Sequence, residues 1–204
     1  MRKSIDATGR RTFLKQIYQA SLYAAAGGSF LSQKVDAQPA GGLPANIKSL
    51  TVYYSRTGHT RTVANYIHAL TGGDLVEIET VDPYPEDYDT LVALNVAQQE
   101  SGYRPPLKTV IENIRDYDIV FIGSPLWNVR LTPPVRSFLS SHDLSGKTVA
   151  PFVTYIVSGV GRSRQDIQEL CPEAQILGGL AILGEDATAA QTRVAEWLRN
   201  IRLQ

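Results

Sequence analysis

The densest chemistry in the chain sits in one six-residue run, Ser55-Arg56-Thr57-Gly58-His59-Thr60. Three hydroxyls surround a glycine, and the run joins an apolar, strand-like stretch over 48–54 to a helical period over 59–71. The first backbone N–H groups of a helix lack intrahelical partners and lie at the positive end of its dipole, so this arrangement suits a phosphate. Gly58 lets the backbone approach such a group closely or take a positive φ. The run lacks the Lys-Ser/Thr pair of a nucleoside-triphosphate loop and the three spaced glycines of a dinucleotide fingerprint. A monophosphate therefore fits it best. The competing reading is an ordinary helix start capped by Ser and Thr.

Two further runs follow apolar stretches. Gly123-Ser124-Pro125-Leu126-Trp127-Asn128-Val129-Arg130 follows the apolar run over 118–123 and reads as a stiff loop. It either presents Trp127 beside a flat ligand or uses it to close the core at the sheet edge. Thr154-Tyr155-Ile156-Val157-Ser158-Gly159-Val160-Gly161 follows the stretch over 147–154. There Tyr155 offers a ring for stacking, and Ser158 and Gly159 offer small polar and backbone contacts. The remaining candidates are weaker. His59 reads as a phosphate contact before a base, and Asp82, Glu86, Asp87, Asp89 and Glu100 are scattered rather than paired. The single cysteine, Cys171, excludes an internal disulfide and reads as a small buried hydrophobe. No catalytic residue and no metal ligand is assigned.

These runs need elements to hold them. Short apolar runs predict strands over 48–54, 74–79, 118–123, 147–154 and 175–182, and helical periods predict helices over 59–71, 86–99, 109–115, 133–140, 162–170 and 186–200. Pro133 and Pro134 suit the first turn of a helix after Thr132, and Trp197 falls on the apolar stripe of the last helix. The alternation implies an α/β fold with a doubly wound, five-stranded parallel sheet and helices on both faces. Loops after its first, third and fourth strands converge on one crevice beyond the strand ends.

Ahead of this domain the composition changes. Residues 1–37 carry six Lys/Arg against Asp6 and Asp36, whereas 38–204 carry fourteen against eighteen Asp/Glu, a split of +4 and −4. The larger part is mildly acidic, which argues against a nucleic-acid partner. Arg10-Arg11-Thr12-Phe13-Leu14-Lys15 precedes a weakly apolar run over 17–31 that is too short to span a bilayer comfortably, and small residues follow at Val35-Asp36-Ala37 with Ala40 nearby. This resembles a twin-arginine export signal over 1–37, with 38–47 as a linker and 48–204 as the fold. The plain alternative is an amphipathic helix with two adjacent arginines. The resemblance implies a twin-arginine translocase as transient partner, a periplasmic or otherwise exported location, and no stable membrane span in the mature form.

Residues 50–60, 121–139 and 144–182 resemble the flavodoxin family, most closely a short-chain branch of flavodoxin-like proteins. The matching pieces are Tyr54 to Thr60, Gly123-Ser124-Pro125-Leu126-Trp127, Leu144 to Thr148, Pro151 to Thr154, Ser158 to Ser163, and Gly179 to Ile182. Tyr84-Pro85, Tyr88 and Arg104-Pro105 fit the same branch. The resemblance implies strand order 2-1-3-4-5, FMN as cofactor, and electron transfer to or from a redox partner protein or a small-molecule acceptor. Carried over by position, Ser55, Thr57, His59 and Thr60, with backbone at Arg56 and Gly58, would hold the ribityl phosphate. Ser124, Pro125, Leu126, Trp127, Asn128 and Val129 would lie along one side of the ring, and Thr154, Tyr155, Ser158 and Gly159 along the other. Two stretches depart from the branch: Asn128-Val129 stands where relatives carry another aromatic and a glycine, and Tyr155-Ile156-Val157 where the branch has His-Gly-Gly. Two alternatives to an electron carrier follow. One is an FMN-dependent NAD(P)H:quinone or nitro reductase. The other is a non-redox binding module that kept the fold and lost flavin.

Overall fold

The computed structural model describes residues 43, 44 and 46–201, so the twin-arginine stretch and most of the predicted linker lie outside the described residues. Leu43 and Ile47, from the end of that linker, pack against the core. Seven strand segments form one sheet: β1 (Ser49–Tyr53), β2 (Asp74–Glu77), β3 (Ile119–Trp127), β4 (Arg130–Leu131), β5 (Thr148–Tyr155), β6 (Gln175–Ile176) and β7 (Leu180–Leu183). Their order is β2-β1-β3-β5-β6, with β7 also on β5 and β4 antiparallel to the end of β3. β6 and β7 share the fifth position, so this α/β doubly wound sheet has the parallel order 2-1-3-4-5 that the family resemblance implies.

Both sheet faces are covered. Alternate residues of the central strands point to opposite sides, Val52, Val120, Ile122 and Val149 into one cluster and Tyr53, Ile119, Phe121 and Phe152 into the other. Helices α1 (His59–Thr71) and α5 (Gln191–Asn200) close the second face through Val63, Ile67, Val194 and Trp197; Trp197 packs edge-on against Phe121. Helices α3 (Pro133–Ser141) and α4 (Ser163–Leu170) close the first through Val135, Phe138 and Ile167. Helix α2 (Tyr88–Ser101) differs, because only Leu91 and Asn95 of its fourteen residues are buried and neither belongs to either cluster.

Three predicted elements come out differently. The fifth strand breaks at 177–179 because Gln175 and Leu177 donate to Lys147 and Val149, so the odd-numbered residues of β5 face it, and the next, Pro151, has no N–H to offer. Gly179 fits against the Pro151 ring, and pairing resumes at Phe152↔Leu180. The helix predicted over 109–115 shrinks to a 3-10 turn, Ile114–Asp116. The Thr109 hydroxyl takes the Glu79 N–H at 2.8 Å and donates to Glu77 O at 3.1 Å, while Ile111 donates to His142 Nε2, so tertiary bonds compete with a helix over the start of this segment. The last predicted helix splits into a 3-10 stretch, Gly184–Ala189, and α5.

One buried carboxylate joins α4 to the sheet end. Asp166 is fully buried; its Oδ1 accepts from Arg130 Nε (3.1 Å), Arg130 Nη2 (2.7 Å) and Arg136 Nη1 (2.8 Å), and its Oδ2 from the Leu131 N–H (2.9 Å). Its hydrogen bond, more than its charge, holds the Arg130 guanidinium above its ordinary range. Removing one partner of such a pair strands the others in low dielectric. Asp166→Ala is expected to lose about 3–5 kcal/mol of stability in urea denaturation. A loss below about 1 kcal/mol, the range of an exposed pair, would show that the clamp is not structural.

Candidate functional site

A cleft of about 690 Å³ opens beyond the C-terminal ends of the central strands. Arg56, Thr57 and His59 line it from the first run, Pro125, Leu126, Trp127 and Asn128 from the end of β3, and Thr154, Tyr155 and Ile156 from the end of β5. The structure thus brings the three runs together. Two walls have no counterpart among the site residues expected from sequence: Tyr88, Leu91, Val92, Asn95 and Val96 of α2, and Leu183 at the end of β7 with Gly184 and Glu185 beyond it. The α2 wall leaves little trace in sequence because that helix carries no coherent apolar stripe. The wall after β7 had a usable trace in Gly184, where a Cβ would come within 2.8 Å of His59 Nδ1.

At the first run, helix α1 starts on Gly58 at φ 90°, and no side chain caps it. The hydroxyl of Thr60 is buried and hydrogen-bonded to Thr154 Oγ1 at 2.8 Å, tying α1 to β5. Thr62 Oγ1 donates to Gly58 O, and Arg56 Nη2 reaches Glu86 O at 2.5 Å. Ser55 opens toward an adjoining hollow of about 630 Å³ shared with Arg56, Arg61 and Lys108. Its Oγ is buried and has no hydrogen-bond partner. A buried hydroxyl without a partner is destabilising unless something meets it.

The second run is a hairpin rather than a loop. β3 continues through Trp127 and returns as β4, with Trp127 opposite Arg130, so Asn128 and Val129 form a two-residue turn at φ 50° and 59°. Positive φ at both positions is the primed turn that matches strand twist. Ser124 is buried at the hairpin base, accepting the Thr132 N–H at 3.1 Å and donating to Pro125 O at 2.8 Å, and it does not line the cleft. Trp127 lines the cleft and sits edge-on to Tyr54 (5.7 Å) and Tyr84 (5.2 Å) in a three-ring cluster. Burial pushes the Tyr54 phenol up to about 12, against the pull of the Arg56 charge, so it stays protonated at neutral pH.

In the third run Tyr155 lines the cleft, while Ser158 and Gly159 lie in a tight turn outside it. Ile156 and Val157 are 79% and 90% exposed, so their bulk does not fill the cleft.

Residues 48–201 match the family described as Flavodoxin. The chain belongs to the flavodoxin family. A protein from Bacteroides eggerthii assigned as a flavoprotein is 31% identical, with a TM-score of 0.69 over 78% of this chain and 100% of that one. A second, from Bacteroides uniformis, is 26% identical, with a TM-score of 0.66 over 76% and 99%. A flavoprotein solved in complex with FMN from Lactobacillus acidophilus is 20% identical, with a TM-score of 0.57 over 70% and 97%, a likeness of fold. No curated protein matches the chain.

Within this flavodoxin-family sheet the hairpin tip is the strained point. A β-branched side chain at φ 59° clashes with its own backbone, and Val129 is kept there by its carbonyl, which accepts the Arg162 N–H at 2.8 Å. Gly161, at φ 52°, packs so closely on that carbonyl that a Cβ would not fit. The left-handed region costs an L-residue about 1–2 kcal/mol, partly offset by glycine's backbone entropy of roughly 0.5–1 kcal/mol. Val129→Gly is therefore expected to raise stability by about 0.5–1 kcal/mol in urea denaturation. A lower midpoint would show that the side chain contributes more than its strain removes.

Proposed function

We propose that this chain is an FMN-binding flavoprotein that carries electrons outside the cytoplasm, exported by the twin-arginine route as a folded protein. The observation that carries the FMN reading is the buried, unpartnered Ser55 hydroxyl in the hollow that adjoins the cleft, next to an uncapped helix start, with Trp127 and Tyr155 lining the cleft itself. These groups fit a ribityl phosphate and a flat ring. Ser55, Thr57 and the first N–H groups of α1 would hold the phosphate, with Arg56 and His59 beside it. Thr60 acts through its bond to Thr154, fixing the distance between the first and third runs. Trp127, locked by Tyr54 and Tyr84, and Tyr155 would border the ring and exclude water from it. When bound, FMN supplies the electron chemistry; the protein sets its environment.

The exposure of Ile156 and Val157 favours this reading over a binding module whose cleft is blocked by bulk. A carrier is favoured over a reductase because the chain has no nicotinamide fingerprint and no second catalytic domain in 48–204. Steady NAD(P)H oxidation in the presence of a quinone or nitro compound would reverse that preference.

FMN added to the full chain should be retained through gel filtration with its visible absorbance and lose its fluorescence. A chain that elutes colourless and leaves the fluorescence unquenched would sink the reading. Ser55→Ala should weaken FMN by about tenfold, the weight of a hydrogen bond to a charged group, and leave lumiflavin, which lacks the phosphate, unchanged. For export, replacing Arg10 and Arg11 together by lysine should leave the chain in the cytoplasmic fraction of a host with a twin-arginine translocase. Undiminished export of that variant refutes the proposed route.

A further inference from the structure

Helix α2 turns four apolar or aromatic side chains to the cleft, Tyr88, Leu91, Val92 and Val96, and among them a single polar one, Asn95. Asn95 is only 5% exposed. One turn later Gln99 donates from Nε2 to the Trp127 carbonyl at 2.8 Å and to Asn95 Oδ1 at 3.0 Å. The Trp127 carbonyl can only accept, so the Gln99 amide must face it with its NH2 group. That orientation gives Asn95 a donor to answer, so Asn95 must turn its oxygen toward Gln99 and its NH2 group away. No protein acceptor meets that NH2 group among the described residues. The arrangement is also costly, because Gln99 Oε1 is left buried without a partner. A buried acceptor that goes unpaired so that two other bonds keep their direction calls for a reason beyond stability.

We propose that Asn95 reads a ring carbonyl of the ligand held in this cleft, and that Gln99 is the positioning residue that fixes its amide. The ligand chemistry is a planar ring bearing an sp² oxygen acceptor, set against an otherwise apolar wall. The inference rests on the FMN reading, and two sources supply that chemistry: the flavin ring itself, or a carbonyl-bearing electron acceptor that enters beside it. Asn95 has a fixed donor to offer only while Gln99 spans Asn95 and Trp127, so the hairpin and α2 present it together.

The test uses the full chain, with FMN and lumiflavin titrations followed by fluorescence and visible absorbance. Asn95→Leu should weaken both flavins by the same factor, about tenfold for one hydrogen bond, because the ring and not the phosphate loses a contact. Asn95→Asp, which sets an acceptor against an acceptor, should weaken both further. Gln99→Leu should act in the same direction and shift the absorption maximum of the bound flavin, a change that loss of helix stability alone does not produce. Thermal melting of the ligand-free variants identifies any that fail to fold. If flavin affinity is untouched but Asn95→Leu slows reoxidation of the reduced, FMN-loaded protein by 1,4-naphthoquinone about tenfold, the carbonyl belongs to the acceptor. Unchanged flavin affinity, absorption and naphthoquinone rate in the folded Asn95→Leu and Gln99→Leu variants overturn the proposal. A wild-type chain that binds neither flavin overturns the FMN reading instead.

Discussion

The Asp166 carboxylate is the constraint on which the shape of the cleft depends. It lies on α4, but the groups it holds are Arg130 and the Leu131 N–H on β4 and Arg136 on α3. Without a counter-charge, Arg136 and Arg130 would face each other in a poorly solvated space that already depresses the nearby Arg104 guanidinium, first by burial and then by the charges of those two arginines. Glu169 supplies a second, more exposed acid to Arg130 and Arg162. Because Asp166 is buried, salt should screen it far less than the Arg115–Asp143 pair on the surface. A buried ion pair is poor evidence of net stability compared with apolar packing, but it is directional, and direction is what the hairpin needs.

From that clamp the effect passes outward through contacts rather than through any single rigid body. β4 is fixed, so the turn at Asn128 and Val129 must close in two residues, and the Arg162 N–H on the Val129 carbonyl locks it. The end of β3 is then fixed too. Trp127 is held by Tyr54 and Tyr84 on one side and, through its carbonyl, by Gln99 on the other. Helix α2, which buries almost nothing in either core cluster, takes its position from this bond and from the Tyr84 hydroxyl on Gln98. A wall of the cleft therefore hangs on polar and aromatic contacts. Such a wall can shift at less cost than the sheet beneath it.

What the sequence revealed follows which forces were local. The first run was readable because a strand, a glycine at positive φ and a helix start lie within twelve residues, all governed by near-neighbour geometry. The doubly wound parallel sheet was readable because nearly continuous apolar strands alternate with helices, whereas its strand order came only with the family resemblance. The hairpin was not, because a primed two-residue turn is usually announced by Asn-Gly, and here Val129 occupies the second position under force from Arg162, thirty-three residues away in sequence. The segment over 109–115 has helical spacing, but Thr109 and Ile111 are claimed by Glu77, Glu79 and His142. The broken fifth strand had a visible cause in Pro151, whose missing N–H matters only once its neighbour is known. Asn95 and Gln99 were illegible for a related reason: nothing local distinguishes two amides on a helix until the carbonyl they answer is in place.

The same separation in sequence bears on export. The cleft draws its walls from the first run, α2, the hairpin, the end of β5 and the turn after β7, so it exists only once the chain has folded. A ligand that binds this cleft and not the unfolded chain stabilises the folded state by mass action, by about 2.7 kcal/mol when its concentration is a hundred times its dissociation constant. A route that threads unfolded chains would forfeit that stabilisation and require the ligand to be met again on the far side. A route for folded cargo keeps it. The unpartnered Ser55 hydroxyl sharpens the point, because a phosphate that met it would remove a cost which the empty protein carries. Filling the cleft before transport would therefore do most for a chain built in this way.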